Sequence, residues 1–248
     1  MQAKFFIVFF LLCFCFAVPN LQADDAAGQN SITKAEISAG LGWDYSRQFR
    51  NEGEVFLKGG LQFIHAVDVA GGYLFSKNPY YTEHVAFADA GLSLSVIPWE
   101  PLKYFSVHVL YQYLGIPEYQ NTLNALIPFI SFKSTYIDAS VGINTLWSRF
   151  YEVNTGPEGS IALSLTLYPF SFHAFSKQKI QSGITIANFD EYYCSSMIWQ
   201  LYLKLFCNLA ISERLSIENN LTFLQTGFSG LTTNFEGFIL RSAVKLTW

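Results

Sequence analysis

The sequence predicts an all-β fold, a transmembrane antiparallel β-barrel of about twelve strands, with about eight to ten strands as the alternative. Apolar and polar residues alternate along most of the chain, which is the period of a strand with two different faces. Only 14 % of the residues are charged and 17 % are aromatic, whereas a soluble domain carries about a quarter charged residues. The last eleven residues alternate in the same way and end at Trp248.

Residues 1–23 have the pattern of a secretory signal peptide. Lys4 supplies a positive charge, residues 5–18 are apolar, and a polar cleavage region follows. A membrane-anchoring helix is the alternative, but the apolar run is shorter than the roughly 20 residues that span a bilayer. Lipidation at Cys13 or Cys15 is a second alternative, which the bulky Phe14 disfavours. We expect a removed signal peptide at 1–23, a short polar leader at 24–33 and a barrel at 34–248.

The first predicted strand, Lys34 to Tyr45, contains twelve residues of unbroken alternation. A helix would distribute its charges around the whole circumference, so the pattern indicates a strand. Two further strands, 54–63 and 67–75, are predicted to form a hairpin in which Gln62 lies opposite Asp68. The remaining predicted strands cover residues 85–96, 104–114, 125–133, 136–147, 161–167, 182–189, 198–211, 215–223 and 238–248.

Prolines mark several expected interruptions, because proline has no N–H to donate to a strand ladder. Pro98 and Pro101 predict a turn, Pro128 predicts a weakened strand or a bulge, and Pro169 predicts another turn. A transmembrane helix over 159–176, a stretch without formal charge, is the alternative there. Pro169 and the alternating serines and threonines favour a strand instead.

The predicted connections alternate between shorter turns and longer loops of about eight to eleven residues. Short turns on one rim and longer loops on the other are typical of membrane barrels, in which the short-turn rim is periplasmic. An even number of strands places both ends of the barrel on that rim.

The final strand, Phe238 to Trp248, has apolar residues on one face and Arg241 and Lys245 on the other. It resembles the carboxy-terminal insertion signal of bacterial outer-membrane β-barrel proteins, and the whole mature pattern is similar to small porin-like, OmpW-like or OmpX-like barrels. The resemblance implies an integral outer-membrane protein in contact with outer-membrane lipid and inserted by the barrel-assembly machinery. The expected assembly signal comprises Leu240, Val244, Leu246 and Trp248.

Aromatic residues cluster near the predicted strand ends, where rings with an apolar body and a polar edge suit the headgroup level of a membrane. Core aromatics of a β-sandwich and a soluble lipocalin-like barrel are the alternatives. The aromatic residues expected toward the longer-loop rim are Trp43, Tyr45, Tyr73, Phe75, Tyr111, Tyr113 and Trp147, and those expected toward the short-turn rim are Trp99, Tyr104, Phe105, Tyr136, Tyr168 and Trp248.

With the apolar face against lipid, the polar face lines the lumen. Five cations and six anions on that face predict no strong ion selectivity, and strand closure predicts a contact between Glu36 and Lys245. Charges that merely pair and fill the barrel are the alternative. The predicted lumen-facing residues are Lys34, Glu36, Asp44, Lys58, Asp68, Asp89, His108, Asp138, Lys204, Glu218, Arg241 and Lys245.

These observations predict a small passive channel for ions or small polar solutes, with unknown oligomeric state. The alternative is a non-conducting barrel whose surface loops contact a host or partner molecule. A lipid-modifying or hydrolytic activity is disfavoured: Ser106 and His108 have the residue types for acyl transfer, but their spacing recurs by chance on strands. We expect no enzyme, no cofactor and no metal.

The net charge of −4 is too small to indicate nucleic acid as a partner. Cys194 and Cys207 would lie roughly 40 Å apart on one extended strand, beyond disulfide reach.

Overall fold

The computed structural model describes residues 32–46, 51–63, 66–151, 153–174, 178–193, 201–226 and 234–248. The predicted signal peptide, most of the polar leader and Cys194 lie outside these residues.

The described residues form twelve antiparallel strands. Each strand pairs with its neighbours in sequence, and the first pairs with the last, so the sheet closes into a barrel. The predicted fold class and strand number are therefore confirmed. The strands are β1 Ile32–Ser46, β2 Asn51–Phe63, β3 Val67–Lys77, β4 Thr82–Ser93, β5 Phe105–Ile116, β6 Asn121–Lys133, β7 Ile137–Phe150, β8 Val153–Ala174, β9 Gln178–Ala187, β10 Tyr202–Ala210, β11 Leu215–Thr226 and β12 Asn234–Thr247.

The barrel closes between β1 and β12. The Trp248 N–H donates to the Ala35 carbonyl at 2.9 Å, and the Ala35 N–H donates to the Trp248 carbonyl at 3.2 Å. The start of β1 and the end of β12 therefore lie on one rim, here called the terminal rim; the opposite one is the far rim. The predicted pairing of Gln62 with Asp68 is also present.

The outward face of the barrel is an apolar band. Leu41 is 67 % exposed and Ile143 is 60 % exposed, although both lie well inside their strands. A soluble monomer rarely exposes such a contiguous apolar surface, whereas a membrane barrel presents one to lipid. This arrangement is the reverse of a lipocalin-like barrel. The outward face also carries all four residues of the expected assembly signal, Leu240, Val244, Leu246 and Trp248.

The four tryptophans expected at the membrane interfaces lie near the two rims. Trp43 is exposed on β1 and Trp147 is half-buried near the end of β7, both toward the far rim. Trp99 and Trp248 are exposed at the terminal rim. Their contact with lipid headgroups stays a prediction.

Tyr168 lies at the height of the terminal rim, where its N–H donates to the Tyr136 carbonyl at 2.8 Å, but the expectation that its ring meets the membrane interface is wrong. The alternation of β8 turns its side chain into the lumen, where its ring centroid lies 5.6 Å from that of Phe206.

Several expected strand limits are wrong, and among them the strand expected over 182–189 ends at Ala187. The fourth strand ends at Ser93, not at residue 96, because Leu94–Val96 forms a 3-10 turn in which the Ser93 hydroxyl accepts a hydrogen bond from the Ser95 N–H. The turn expected at Pro169 is absent: β8 continues to Ala174, with a register shift against β9 between Leu167 and Phe170. A bulge accommodates the proline without ending the strand.

Pro128 weakens pairing without producing a bulge. Leu126 pairs with Thr145 and Phe129 pairs with Gly142 in one unbroken register, while the positions between them are unpaired with β7. Among the described residues, no helix is long and apolar enough to cross a membrane.

The expected distribution of loop lengths is largely wrong. On the far rim, the connections are 47–50, 78–81, 117–120, 151–152, 188–201 and 227–233, and only the fifth exceeds seven residues. The longest terminal-rim connection, 94–104, has eleven residues. Strands extend beyond the alternating segments because ladder pairing requires only backbone groups, not an apolar face.

Candidate functional site: the lumen and its inward segment

All twelve sequence-predicted lumen residues lie on the inward faces of their strands, and several of them meet in ion pairs. Glu36 lies 3.0 Å from the Lys245 ammonium, so the predicted contact across the closure is confirmed. Lys34 also contacts Glu36 at 3.2 Å, and Lys245 contacts Glu218 at 3.4 Å. This cluster lies toward the terminal rim.

Toward the far rim, Arg241 forms a bidentate ion pair with Glu54. The Arg241 Nε and Nη2 atoms donate to the two Glu54 carboxylate oxygens at 2.7 Å and 3.1 Å. Both side chains are largely withdrawn from solvent. Glu54 was not among the predicted lumen residues, although it continues the inward alternation of Lys58 along β2.

Two further acids near the far rim were also missed. Glu52 is buried and accepts hydrogen bonds from Ser76 at 2.8 Å and from Asn78 at 2.7 Å. Glu83 lies beside the predicted Asp44 in the lining of one lumen cavity. Each acid is the second residue of its strand. Too few alternating residues precede it in the sequence to show which face it occupies.

The described part of the longest connection on the far rim turns back into the barrel. Residues 188–193, here called the inward segment, are anchored to β8 by Asn188, whose side-chain amide donates to the Ile161 carbonyl at 2.7 Å. The Tyr202 hydroxyl donates to the Phe189 carbonyl at 2.9 Å. The Asp190 carboxylate lies 3.0 Å from the Lys204 ammonium.

The inward segment then crosses the lumen to the opposite wall. Glu191 pairs with Lys58 on β2. The Tyr192 ring packs 5.9 Å from the Phe56 ring and 5.1 Å from the Phe87 ring, centroid to centroid. The Arg241 guanidinium lies 5.4 Å from the same tyrosine ring. One short segment thereby connects the β9–β10 wall to β2, β4 and β12.

Electrostatics favour this position. Burial alone would raise the pKa of Asp190, but the positive charges of Lys204 and Arg241, with the Tyr192 N–H, lower it below the ordinary value. Burial raises the pKa of the Tyr192 hydroxyl, so this group stays neutral. No sequence pattern indicated these residues, because a loop has no periodicity that assigns it to the lumen.

Two cavities lie on either side of this obstruction. The outer cavity, about 210 Å³, is lined by Asp44, Glu54, Glu83, Tyr192 and Arg241 among others. The inner cavity, about 490 Å³, lies toward the terminal rim and is lined by residues that include Lys34, Glu36, Asp68, Lys103 and Lys133. The two linings share no residue.

The material between the cavities is mostly apolar. Phe87, Leu110 and Ile127 are buried in one cluster with Phe189 of the inward segment. Side chains therefore fill the interior at mid-height, and the lumen is not polar along its whole length. Strands supply apolar residues on both faces at this level because the interior there is packed rather than hydrated.

The wall opposite the charged strands carries a row of serines. Ser106 is the direct partner of Ser93 on one side and of Ser131 on the other, and Ser131 pairs with Ser140. The predicted lumen residue Asp138 accepts a hydrogen bond from Ser131 at 3.1 Å.

His108 and Asp89, both predicted to face the lumen, are in mutual contact next to this row. The His108 Nδ1 atom lies 3.2 Å from the Asp89 Oδ2 atom, and its Nε2 atom lies 2.9 Å from the Ser106 hydroxyl.

In the described part of the chain, no group of three or more His, Cys, Asp or Glu side chains is arranged to hold a metal ion. Cys207 is a free, exposed thiol on β10. Its predicted inability to pair with Cys194 stays a prediction, since Cys194 is outside the described residues.

The fold resembles solved outer-membrane barrels. The NanC porin superposes with a TM-score of 0.54 at 9 % identity, over 85 % of this chain and 98 % of that one. The KdgM porin, solved in complex with disordered oligogalacturonate, gives a TM-score of 0.48 at 7 % identity, over 86 % and 99 %. The COG4313 outer membrane channel from Pseudomonas putida F1 gives 0.46 at 8 % identity, over 91 % and 98 %.

No family model matches the chain, and no curated protein matches its sequence. The closed twelve-stranded sheet, its apolar outer band and the similarity to NanC define the class: the chain is an integral β-barrel of the outer-membrane type. At 9 % identity the similarity concerns the fold.

Proposed function

We propose that the protein is a small passive diffusion channel for ions and small polar solutes. The observation that carries this proposal is the pair of charged cavities that occupy the lumen on both sides of the inward segment. A barrel that served only as a membrane anchor would gain nothing from unfilled polar space, since packed side chains would stabilise it more. Passive diffusion requires no catalytic group.

The inward segment is the constriction of this channel. Its Tyr192 side chain lines the outer cavity, and its Asp190 and Glu191 side chains are paired with lysines on two different walls. These contacts hold one docked position, and displacement of the segment would connect the cavities. We expect solute size to be limited here and not at either rim.

The outer cavity favours cations. Three carboxylates, Asp44, Glu54 and Glu83, contribute to its lining against the single guanidinium of Arg241. A preference for cations differs from the weak ion selectivity expected from the charge count of the whole lumen. The reason is that the acidic residues predominate in the outer cavity, whereas Lys34, Lys103 and Lys133 line the inner cavity. A channel entrance lined by charges of one sign raises the local concentration of ions of the opposite sign.

A barrel that binds a partner through its surface loops receives no support from the geometry. Most far-rim connections are short, and the described part of the longest one folds into the lumen.

The test is conductance of the refolded protein in planar bilayers, together with swelling of proteoliposomes in solutions of sugars of graded size. Discrete current steps and swelling that ends above a size threshold are expected. Bilayers that show no steps above the protein-free background, with liposomes that do not swell, would refute the channel.

A further inference from the structure

The Asp89, His108 and Ser106 side chains form a carboxylate–imidazole–hydroxyl chain in the lumen. Asp89 contacts one ring nitrogen of His108 at 3.2 Å, and Ser106 contacts the other at 2.9 Å. This is the connectivity of the triad that activates a serine nucleophile, in which the carboxylate orients the base and the base removes the hydroxyl proton. Both distances are within the reach that such a relay requires.

The strands hold this arrangement in place. Ser106 and His108 are two residues apart on β5 and therefore share a face, while Gly91 on β4 is the direct partner of His108. A Cβ atom at Gly91 would overlap the imidazole. The Phe129 ring stacks on the imidazole at 4.9 Å with an interplanar angle of 8°. The glycine and the phenylalanine together fix the ring orientation.

The hydroxyl is accessible from the inner cavity. Ser106 belongs to the lining of that cavity of about 490 Å³, as does Lys133. Ser131 is the direct partner of Ser106, so Lys133, two residues further along β6, is its diagonal neighbour, at a distance that long side chains bridge. The Lys133 side chain is 71 % exposed, and its ammonium can approach an anionic oxygen formed beside Ser106.

We propose that this site hydrolyses small, water-soluble carboxylic esters that enter the inner cavity. The Ser106 oxygen attacks the ester carbonyl carbon while its proton passes to His108 Nε2. The bond to the alcohol oxygen then breaks, and His108 returns the proton to the leaving alcohol. Water, deprotonated by His108, attacks the acyl-serine, which releases the carboxylic acid and restores the hydroxyl.

Asp89 acts as a positioning residue that holds the Nδ1–H of His108, and Lys133 stabilises the oxyanion. The reaction needs only the ester and water. It departs from the expectation of no enzymatic activity, because the sequence pattern of Ser106 and His108 does not include the Asp89 contact that the fold supplies. The reaction does not require displacement of the inward segment, because Ser106 lines the cavity on the terminal-rim side of that segment.

The first experiment uses a fluorophosphonate probe on the full-length protein refolded in detergent, with the modified peptide identified by mass spectrometry. Ser106 is expected to react, and the matched neighbour Ser131 is not. Heat-modified gel mobility verifies that each sample is folded. Labelling of Ser106 no faster than in heat-unfolded protein would overturn the proposal and leave the three side chains as a structural hydrogen-bond network.

The second experiment measures hydrolysis of p-nitrophenyl acetate. Ser106→Ala should abolish turnover, whereas Ser131→Ala should retain it. Asp89→Asn should lower kcat by about 10³-fold or more with little change in KM, and Gly91→Ala should lower kcat by displacing the imidazole. Equal rates in wild type and Ser106→Ala would refute the site, and so would an Asp89→Asn effect confined to KM.

Discussion

Replacing Tyr192 with alanine should open the lumen. The side chain packs against Phe56 and Phe87 and lies under the Arg241 guanidinium. Removing a buried aromatic ring costs about 3 kcal/mol at the lower end of measured values, a reasonable figure where water can enter the space left behind. At about 1.4 kcal/mol per tenfold change, the ratio of docked to released segment falls by roughly a hundredfold.

The assay is single-channel recording, with open probability as the quantity measured and liposome swelling as a second readout. A channel that is open about 1 % of the time would become open about half of the time under the roughly hundredfold shift. Tyr80→Ala is the matched control, since Tyr80 is 72 % exposed on the far rim. If Tyr192→Ala and Tyr80→Ala both conduct as wild type does, the inward segment is not the constriction.

Three other predictions concern assembly, stability and pH. Deleting Trp248 should reduce the fraction of protein that is folded in membranes, measured by heat-modified gel mobility. Molecules that do insert should keep normal conductance. Unimpaired insertion would contradict a role of Trp248 in assembly. Glu54→Gln should destabilise the barrel by about 3 kcal/mol, because it leaves the Arg241 charge buried and unpaired, and adding Arg241→Met should recover most of that loss. Urea unfolding followed by tryptophan fluorescence measures both, and equal stability of Glu54→Gln and wild type would count against the ion pair. Asp190 has a pKa below its ordinary value of 3.8, so it stabilises the docked segment fully above that value and loses this contribution as the pH falls through the lowered pKa. The wild-type current should therefore be constant from neutral pH to about pH 5 and should rise in more acidic solution. The Asp190→Asn variant should carry the higher current already at neutral pH. A rise of the wild-type current between neutral pH and about pH 5 would show that Asp190 does not control the segment in this way.

Strand alternation predicted the wall of the barrel well because a strand has only two faces. When lipid covers one face, each residue of an unbroken alternating run is assigned either to the lipid side or to the lumen side. The sequence therefore predicts the contact between Glu36 and Lys245 across the closure, and the structure contains it. Prolines were harder to interpret, since the same residue can end a strand or be absorbed. Pro169 lies at a register shift within β8 rather than at its end.

The sequence by itself determined the membrane class, the number of strands and which face of each alternating strand is directed outward. These properties follow from local periodicity and composition, which each segment carries independently of the others. Only the tertiary structure decided what occupies the lumen. The position of Tyr192 depends on contacts with β2, β4 and β12, more than forty residues away along the chain, and the Asp89 contact with His108 depends on the register between two strands. Neither relation leaves a local signal, because residues that meet across a lumen share no period.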